Sequence, residues 1–137
     1  MSRILVVDDE SDFAELISFN LKQRGHEVHT ALSGLEALNQ TPKLAPDLIV
    51  LDIMMPGIDG FSVCEILRSQ SPPNRIPVVM YTALAGQIAQ LNGFEAGADD
   101  YLTKPFKIQE LVGRVEKLLQ RRERETAGAS DDAGQGC

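Results

Sequence analysis

The residues of this chain whose types and spacing could do chemistry together are three aspartates and one lysine. Asp8 and Asp9 come directly after one apolar run, Asp52 comes after a second, and Lys104 lies nearer the C-terminus. Three carboxylates at one site repel each other unless a cation binds them, and Mg²⁺ is a cation that prefers hard oxygen ligands. The group therefore predicts a magnesium site suited to phosphoryl chemistry.

The apolar runs that precede these acids predict buried strands. Residues 4–7 and 48–51 are each wholly apolar and rich in β-branched side chains. Further strand signals lie at 27–30, 76–81 and 100–103, with helical patterns between them. This alternation predicts an α/β fold in which five parallel strands form a doubly wound sheet with helices on both faces.

Five helices are predicted from apolar side chains at helical spacing. Ser33 and Glu36 form a capping box that opens the second helix, and the Pro-rich segment 71–74 ends the third. In chain order the apolar stripes are Phe13, Leu16, Ile17 and Leu21; Leu35 and Leu38; Phe61, Cys64 and Leu67; Ile88 and Leu91; and Ile108, Leu111, Val112, Val115, Leu118 and Leu119. The last stripe is the clearest amphipathic pattern in the chain.

The order of the strands decides whether the acids meet. The flavodoxin-like order 2-1-3-4-5 places the first and third strands side by side at the switch point, where open α/β sheets bind ligands. Asp8, Asp9 and Asp52 then lie together, whereas a simple sequential order separates them by one strand. The pattern alone does not prove the order, but the carboxylate group favours the flavodoxin-like one.

Composition and charge limit the classes to which the protein can belong. With 137 residues, 43% of them hydrophobic, the chain predicts one domain with one substantial core. The net charge of −7 argues against nonspecific binding to nucleic acid or to an anionic membrane. Cys64 and Cys137 are too few and too isolated for a disulfide framework, and no signal-peptide pattern is present. We therefore expect a reduced cytoplasmic setting, no nucleic acid bound by this chain itself and no membrane contact.

The end of the chain differs in composition from the rest. The run at 120–125 is charged and predicts a solvated helix end, and 126–137 contains no large apolar residue. Such a segment buries too little surface to offset its ordering entropy, so it predicts a disordered polar tail or linker. We divide the chain into a folded domain at 1–122 and this charged helix end and tail at 123–137.

Taken in order, the motifs resemble the receiver (REC) domain of two-component response regulators. The residues that carry the resemblance are Asp8-Asp9, Asp52, the loop 54–60, Thr82 and Lys104-Pro105-Phe106. The resemblance covers about residues 2–122. Each motif alone is weak evidence for the family, whereas all of them in this order are specific evidence. Segment 97–106 is further similar to the winged-helix (OmpR/PhoB-like) subfamily, whose members usually carry a DNA-binding domain. The resemblance implies a CheY-like fold.

The resemblance also implies a role for each matching residue. Asp52 is the phosphoacceptor, which takes the phosphoryl group from the phosphohistidine of a sensor histidine kinase or phosphotransfer protein. Asp9 binds Mg²⁺ directly and Asp8 mainly through water, and the Met54 backbone carbonyl adds a further oxygen. Lys104 and Thr82 contact the phosphoryl oxygens. Thr82 and Tyr101 form the switch pair, in which Tyr101 turns inward as Thr82 moves toward the phosphoryl group. A cis peptide before Pro105 is a further family feature that the sequence does not reveal.

The implied output surface is the fourth helix, fifth strand and fifth helix, through which the subfamily dimerises by charge pairs. Asp100 and Arg114 match one such pair. Glu110 matches half of another, but position 90 is Gln where the subfamily typically has lysine. The sequence does not decide whether the phosphorylated protein is a monomer or a dimer. It also leaves open whether the chain is a stand-alone receiver or part of a longer regulator.

Three other classes fit less well. A pseudo-receiver that binds partners without the chemistry would lack an acid or Lys104, and all of them are present. Haloacid dehalogenase-like phosphatases place a second aspartate two residues after the nucleophile, where this chain has Met54. A flavodoxin would carry a Ser/Thr/Gly-rich loop after the first strand. We therefore expect a signalling switch that assists its own phosphorylation and dephosphorylation, and not an enzyme.

Overall fold

Five parallel strands and five helices alternate along the chain in a computed structural model that describes residues 2–70, 75–83 and 86–135, with side chains described to residue 123. The strands are β1 (Arg3–Val7), β2 (Glu27–Ala31), β3 (Leu48–Asp52), β4 (Val78–Thr82) and β5 (Asp100–Thr103). The helices are α1 (Ser11–Gln23), α2 (Gly34–Leu44), α3 (Gly60–Gln70), α4 (Gln87–Ala96) and α5 (Ile108–Gln135).

The strands form one sheet in the order β2-β1-β3-β4-β5, and every neighbouring pair is parallel. The predicted flavodoxin-like order is therefore confirmed. Since β1 and β3 are direct neighbours, with Val7 opposite Leu51, the residues that follow both strands leave the sheet at the same edge. This edge is the switch point of the fold.

Each face of the sheet carries its own core, because successive side chains of a strand point to opposite faces. On one face Ile4 and Val6 pack with the buried sides of α1 and α5. On the other face Leu5 and Val7 pack with buried residues of α2, α3 and α4. Burial on both faces explains why the central strands read as uninterrupted apolar runs.

The helical predictions were right in position and partly wrong about which side chains are buried. The Ser33 hydroxyl accepts a hydrogen bond from the Glu36 N–H at 3.1 Å, so the predicted N-cap is present. The Glu36 carboxylate accepts from the Leu32 N–H at 3.2 Å, one residue before the position that a complete capping box uses. Leu35, however, is 60% exposed, whereas Leu38 is partly buried against the core. The buried residues of that helix are Gly34, Ala37 and Thr41. The α4 stripe is also wrong, since Ile88 and Leu91 are both exposed. These helices pack through small residues, which a search for large apolar side chains passes over.

Helix α5 carries its predicted apolar stripe into the core and then continues to Gln135. Its backbone is therefore helical through most of the segment for which composition predicts a disordered tail. Good helix formers such as Arg, Glu and Ala, with no proline, permit this extension. The division into a domain at 1–122 and a tail or linker at 123–137 stays a prediction. None of the described helices has the length and hydropathy that crossing a membrane requires.

Candidate functional site

The three predicted acids meet at the carboxyl edge of the sheet. One carboxylate oxygen each from Asp8, Asp9 and Asp52 lies within 4.8 Å of the others. Asp8 and Asp52 are buried and Asp9 is exposed, so the group opens to solvent on the side of Asp9. A set of three oxygen donors at this spacing fits a hard divalent cation such as Mg²⁺.

Close backbone packing holds this edge in place. The Asp8 N–H continues the ladder to β2 by donating to the Ala31 carbonyl at 3.1 Å. After β3 the chain turns tightly, and the Gly60 N–H donates to the Ile53 carbonyl at 2.9 Å. A Cβ at Gly60 would lie 2.6 Å from the Asp52 carbonyl oxygen, so only glycine allows α3 to start this close to the acid.

The charge balance around Asp52 favours its protonated form when no cation is bound. Burial, followed by the charge of Asp8, raises the pKa of the Asp52 carboxyl to about 7. Lys104 and the Met54 N–H act in the opposite direction, the latter through a 3.3 Å hydrogen bond to Asp52 Oδ1. A cation at the site would favour the ionised carboxylate, which is the nucleophilic form.

Asp8 is held by two donors, one of which the sequence analysis missed. The Glu10 N–H donates to Asp8 Oδ1 at 2.8 Å, and the Tyr81 hydroxyl donates to Asp8 Oδ2. Tyr81 is fully buried, and its burial together with the charge of Asp8 raises the pKa of the phenol. The signal in the sequence was an aromatic residue with a polar tip at the end of an otherwise apolar strand, directly before Thr82.

Lys104 reaches the site from the loop after β5. Its peptide bond to Pro105 is cis, as the resemblance implied. The Lys104 Nζ lies 4.4 Å from the centre of the Phe13 ring and 5.3 Å from that of Tyr81, which is cation–π distance. None of the ion pairs found among the described residues involves Lys104.

The predicted switch residues lie on neighbouring strands. Thr82 ends β4 and is fully buried, directly opposite Thr103 of β5. Tyr101 is 4% exposed, and its ring centre lies 6.5 Å from that of Phe94 in α4. Tyr101 is thus in an inward position in this structure.

Met54 and the Asp100–Arg114 pair complete the set of predicted positions, and Ala83 lies beside the predicted Thr82. Met54 is 56% exposed beside Asp52, with its side chain directed away from the core. Ala83 is exposed directly after Thr82. Arg114 of α5 pairs with Asp100 of β5 at 2.6 Å within the same chain, and this contact raises the pKa of the Arg114 guanidinium.

Comparison with known proteins decides the family. The model of the response regulator receiver domain family matches residues 4–116. The chain belongs to the response regulator receiver family. The matched range contains all of the sheet except Arg3, the first residue of β1, and all the predicted site residues of this receiver domain. It is thus a response regulator receiver domain of two-component signalling.

Individual relatives agree with this result. The DNA-binding dual master transcriptional regulator RpaA of Synechocystis sp. is 47% identical to the receiver domain over 125 residues, which are 90% of this chain and 52% of the relative. The receiver domain of the Francisella response regulator 1452 matches with a TM-score of 0.84 and 38% identity, covering 89% of this chain and 99% of that one. A CheY-like receiver domain protein from Methanospirillum hungatei matches with a TM-score of 0.84 and 27% identity over 91% of this chain and 98% of that one.

The receiver domain spans about half the length of the curated relative that it matches. That relative is named as DNA-binding, which fits the resemblance to the winged-helix subfamily.

Proposed function

We propose that this receiver domain accepts a phosphoryl group on Asp52 and transmits its presence to the face formed by α4, β5 and α5. The observation that carries the proposal is the meeting of the Asp8, Asp9 and Asp52 carboxylates within 4.8 Å at the carboxyl edge of the sheet. Bringing such acids together costs free energy unless a cation binds them, so a cluster of this kind marks a candidate functional site. The family membership supplies the class of reaction.

In the proposed reaction Asp52 is the nucleophile. A carboxylate oxygen of Asp52 attacks phosphorus, a new O–P bond forms, and the N–P bond to the phosphohistidine of a kinase or phosphotransfer protein breaks. The imidazole leaves with the electron pair of that bond. Phosphoryl transfer depends mainly on in-line positioning and on neutralising the charge of the equatorial oxygens, so the protein needs to do little covalent chemistry itself.

The proposed metal ligands are Asp8, Asp9, Asp52 and the Met54 backbone carbonyl. A bound Mg²⁺ would neutralise negative charge on the carboxylates and on the incoming phosphoryl oxygens. Asp9 is the exposed acid of the three and would bind the ion directly, while the buried Asp8 would hold it mainly through water.

Lys104 and Thr82 sense the phosphoryl group in this proposal. The Lys104 ammonium is a compact point charge on a flexible stem, so it can leave the Phe13 ring and reach a phosphoryl oxygen. The Thr82 hydroxyl and the exposed Ala83 N–H supply further donors. Thr82 and Tyr101 lie on adjacent strands, so movement of the threonine changes the space available to the ring.

The proposed output is a shift between two packings of α4, β5 and α5, because a ligand favours the state that it binds better. The inward Tyr101 corresponds to the packing that phosphate would favour. We further propose that phosphorylated molecules form a homodimer through this face and that the domain acts in the cytoplasm. The domain is a signalling switch that assists its own phosphorylation and dephosphorylation.

Intact mass spectrometry tests the proposal. The protein is incubated with a small acyl phosphodonor, with and without Mg²⁺, as the wild type and as Asp52→Asn. We expect wild type to gain one phosphoryl group only with Mg²⁺, and Asp52→Asn to gain none. No gain in wild type with any donor or kinase tested would overturn the proposal.

A further inference from the structure

Tyr81 connects the metal-binding side of the site with its lysine side. It lies on β4 directly opposite Asp52 of β3 and is fully buried on the face of α1 and α5. Its hydroxyl contacts Asp8, while its ring is 5.3 Å from the Lys104 ammonium. One side chain therefore contacts two groups that the proposed reaction uses.

The two oxygens of Asp8 are fixed by two separate donors. The Glu10 N–H holds Oδ1 at 2.8 Å, and the Tyr81 hydroxyl holds Oδ2. A carboxylate has about four acceptor positions, so two remain for a cation or its water. The carboxylate thus has a defined orientation before any ion binds.

Two phenylalanine rings pack against the Tyr81 ring, and this packing restricts where its hydroxyl can lie. The Tyr81 ring centre lies 5.5 Å from that of Phe13 and 5.9 Å from that of Phe106, and the two phenylalanine rings are 6.1 Å apart. These distances are those of favourable tilted and edge-to-face pairs. A rigid donor positions its acceptor more accurately than a mobile one does.

A buried tyrosine needs a partner for its hydroxyl, so core filling alone predicts some hydrogen bond. It does not predict that the partner is one of the clustered acids. The rest of β4 before Tyr81, Val78 to Met80, is fully buried and apolar, and an apolar residue at position 81 would satisfy the same packing. The hydroxyl is therefore the feature that calls for an explanation by function.

We propose that Tyr81 is a positioning residue for the metal site, whose hydroxyl orients Asp8 and thereby strengthens Mg²⁺ binding. This inference rests on the proposed function and adds a residue to it. Groups that hydrogen-bond to a metal ligand typically change metal affinity about 10- to 100-fold when they are removed. The predicted effect falls on metal affinity, because the Tyr81 hydroxyl donates to Asp8, a proposed metal ligand, and not to Asp52.

The test is a Mg²⁺ titration of the full chain as wild type and as Tyr81→Phe, which keeps the ring and removes only the hydroxyl. Binding is measured by calorimetry and by the NMR shift of the Glu10 amide, whose N–H donates to Asp8. We expect the Kd for Mg²⁺ to rise about 10-fold in Tyr81→Phe. An unchanged or lower Kd would overturn the inference.

Phosphorylation by a small donor gives a second readout that a merely structural role would not move. In Tyr81→Phe the Mg²⁺ concentration for half-maximal rate should rise by the same factor as the Kd, while the rate at saturating Mg²⁺ stays close to wild type. A lower saturating rate with an unchanged midpoint would contradict a positioning role.

Thr41→Val is the matched control. Thr41 is also buried and donates its hydroxyl at 2.7 Å to the Ala37 carbonyl in α2, so this variant loses one buried hydroxyl away from the site. Thr41→Val should leave the Mg²⁺ concentration for half-maximal phosphorylation rate unchanged.

Tyr81→Met is the second variant if Tyr81→Phe does not fold. If the proposed function itself is wrong, the wild-type protein will show no Mg²⁺-dependent phosphorylation. That result differs from a failure of the Tyr81 inference, in which wild type is phosphorylated and Tyr81→Phe binds Mg²⁺ as well as wild type does.

Discussion

At the scale of single residues, the candidate site is a cluster of carboxylates that repel one another unless a cation binds them. Asp52 is 3% exposed and lies beside Asp8 and Asp9, so burial and the like charge of Asp8 raise its pKa to about 7. Lys104 lowers that pKa only in part. Without a bound cation, the ionised cluster therefore destabilises the folded protein.

Asp52→Asn should stabilise the metal-free protein at high pH. The folded pKa of Asp52, about 7, lies above the reference value of 3.8, so the folded state holds the proton more tightly than the unfolded state does. Stability from this group is therefore lost as the pH rises from 3.8 through 7. One pKa unit corresponds to about 1.4 kcal/mol, and the open side of the site reduces the effect, so we expect Asp52→Asn to be about 2 kcal/mol more stable than wild type at alkaline pH.

The measurement is urea unfolding of both proteins, with a chelator present to remove metal ions, from acid to alkaline pH. The difference in free energy of unfolding between the two proteins should shrink towards acid pH. Adding Mg²⁺ should also reduce this difference, because the ion stabilises wild type. A difference between the two proteins that does not change with pH would contradict the raised pKa.

At the scale of secondary structure, strands were predicted more accurately than helix surfaces. The strands are buried on both faces, so runs such as Leu48 to Leu51 identify them without reference to a neighbour. Helices α2 and α4 contact the sheet through Ala37, Gly93 and Ala96, and small residues give no apolar signal. Which side of such a helix is buried depends on the shape of the opposing surface, which only the structure supplies.

Gly93 of α4 should be required for the inward position of Tyr101. A Cβ at Gly93 would lie 2.7 Å from Cδ2 of the Tyr101 ring. Alanine has the higher helix propensity, but overpacking typically costs about 1–3 kcal/mol. We therefore expect Gly93→Ala to lower the free energy of unfolding by about 1–2 kcal/mol and to move the Tyr101 ring signals in NMR spectra.

Gly113→Ala is the control, because a Cβ at this position of α5 meets no atom within 4 Å. It should stabilise the protein by about 0.5–1 kcal/mol through helix propensity alone. If both glycine variants stabilise the protein equally, Tyr101 does not pack against Gly93 in solution.

At the scale of the whole molecule, the face of α4, β5 and α5 carries exposed apolar side chains at the proposed output surface. Ile88 is 77% exposed, Leu91 56% and Phe94 47%. The Asp100–Arg114 pair, which matches a dimer pair of the subfamily, is formed within one chain here. Gln90 stands where the subfamily typically has lysine, and a single exposed ion pair contributes little energy, so dimerisation would depend mainly on the apolar contacts.

Phosphorylation should convert the domain from monomer to dimer, and Leu91→Glu should prevent this without preventing phosphorylation. Light scattering at matched concentrations, before and after phosphorylation, measures the change. Leu35→Glu is the control, since Leu35 is 60% exposed on α2, outside this face. Equal loss of the dimer in both variants would contradict the proposed surface.

The candidate site was predictable where residue type and strand position suffice. Asp8 and Asp9 follow β1 and Asp52 ends β3, and the fold makes these two strands neighbours, so the meeting of the three acids could be expected. Tyr81 could not be found in the same way, because the partner of a phenol depends on where its ring lies in the packed core. The position of the Lys104 ammonium over the Phe13 ring likewise depends on side-chain packing between segments that are distant in the sequence.

The central claim is that Asp52 receives the phosphoryl group, and the most direct test is to locate the modified residue. After phosphorylation with Mg²⁺, borohydride reduction converts an aspartyl phosphate to homoserine, which peptide mass mapping can place in the sequence. The proposal predicts homoserine at position 52 alone. Homoserine at position 8 or 9, or a phosphorylated protein with an unmodified Asp52, would contradict it.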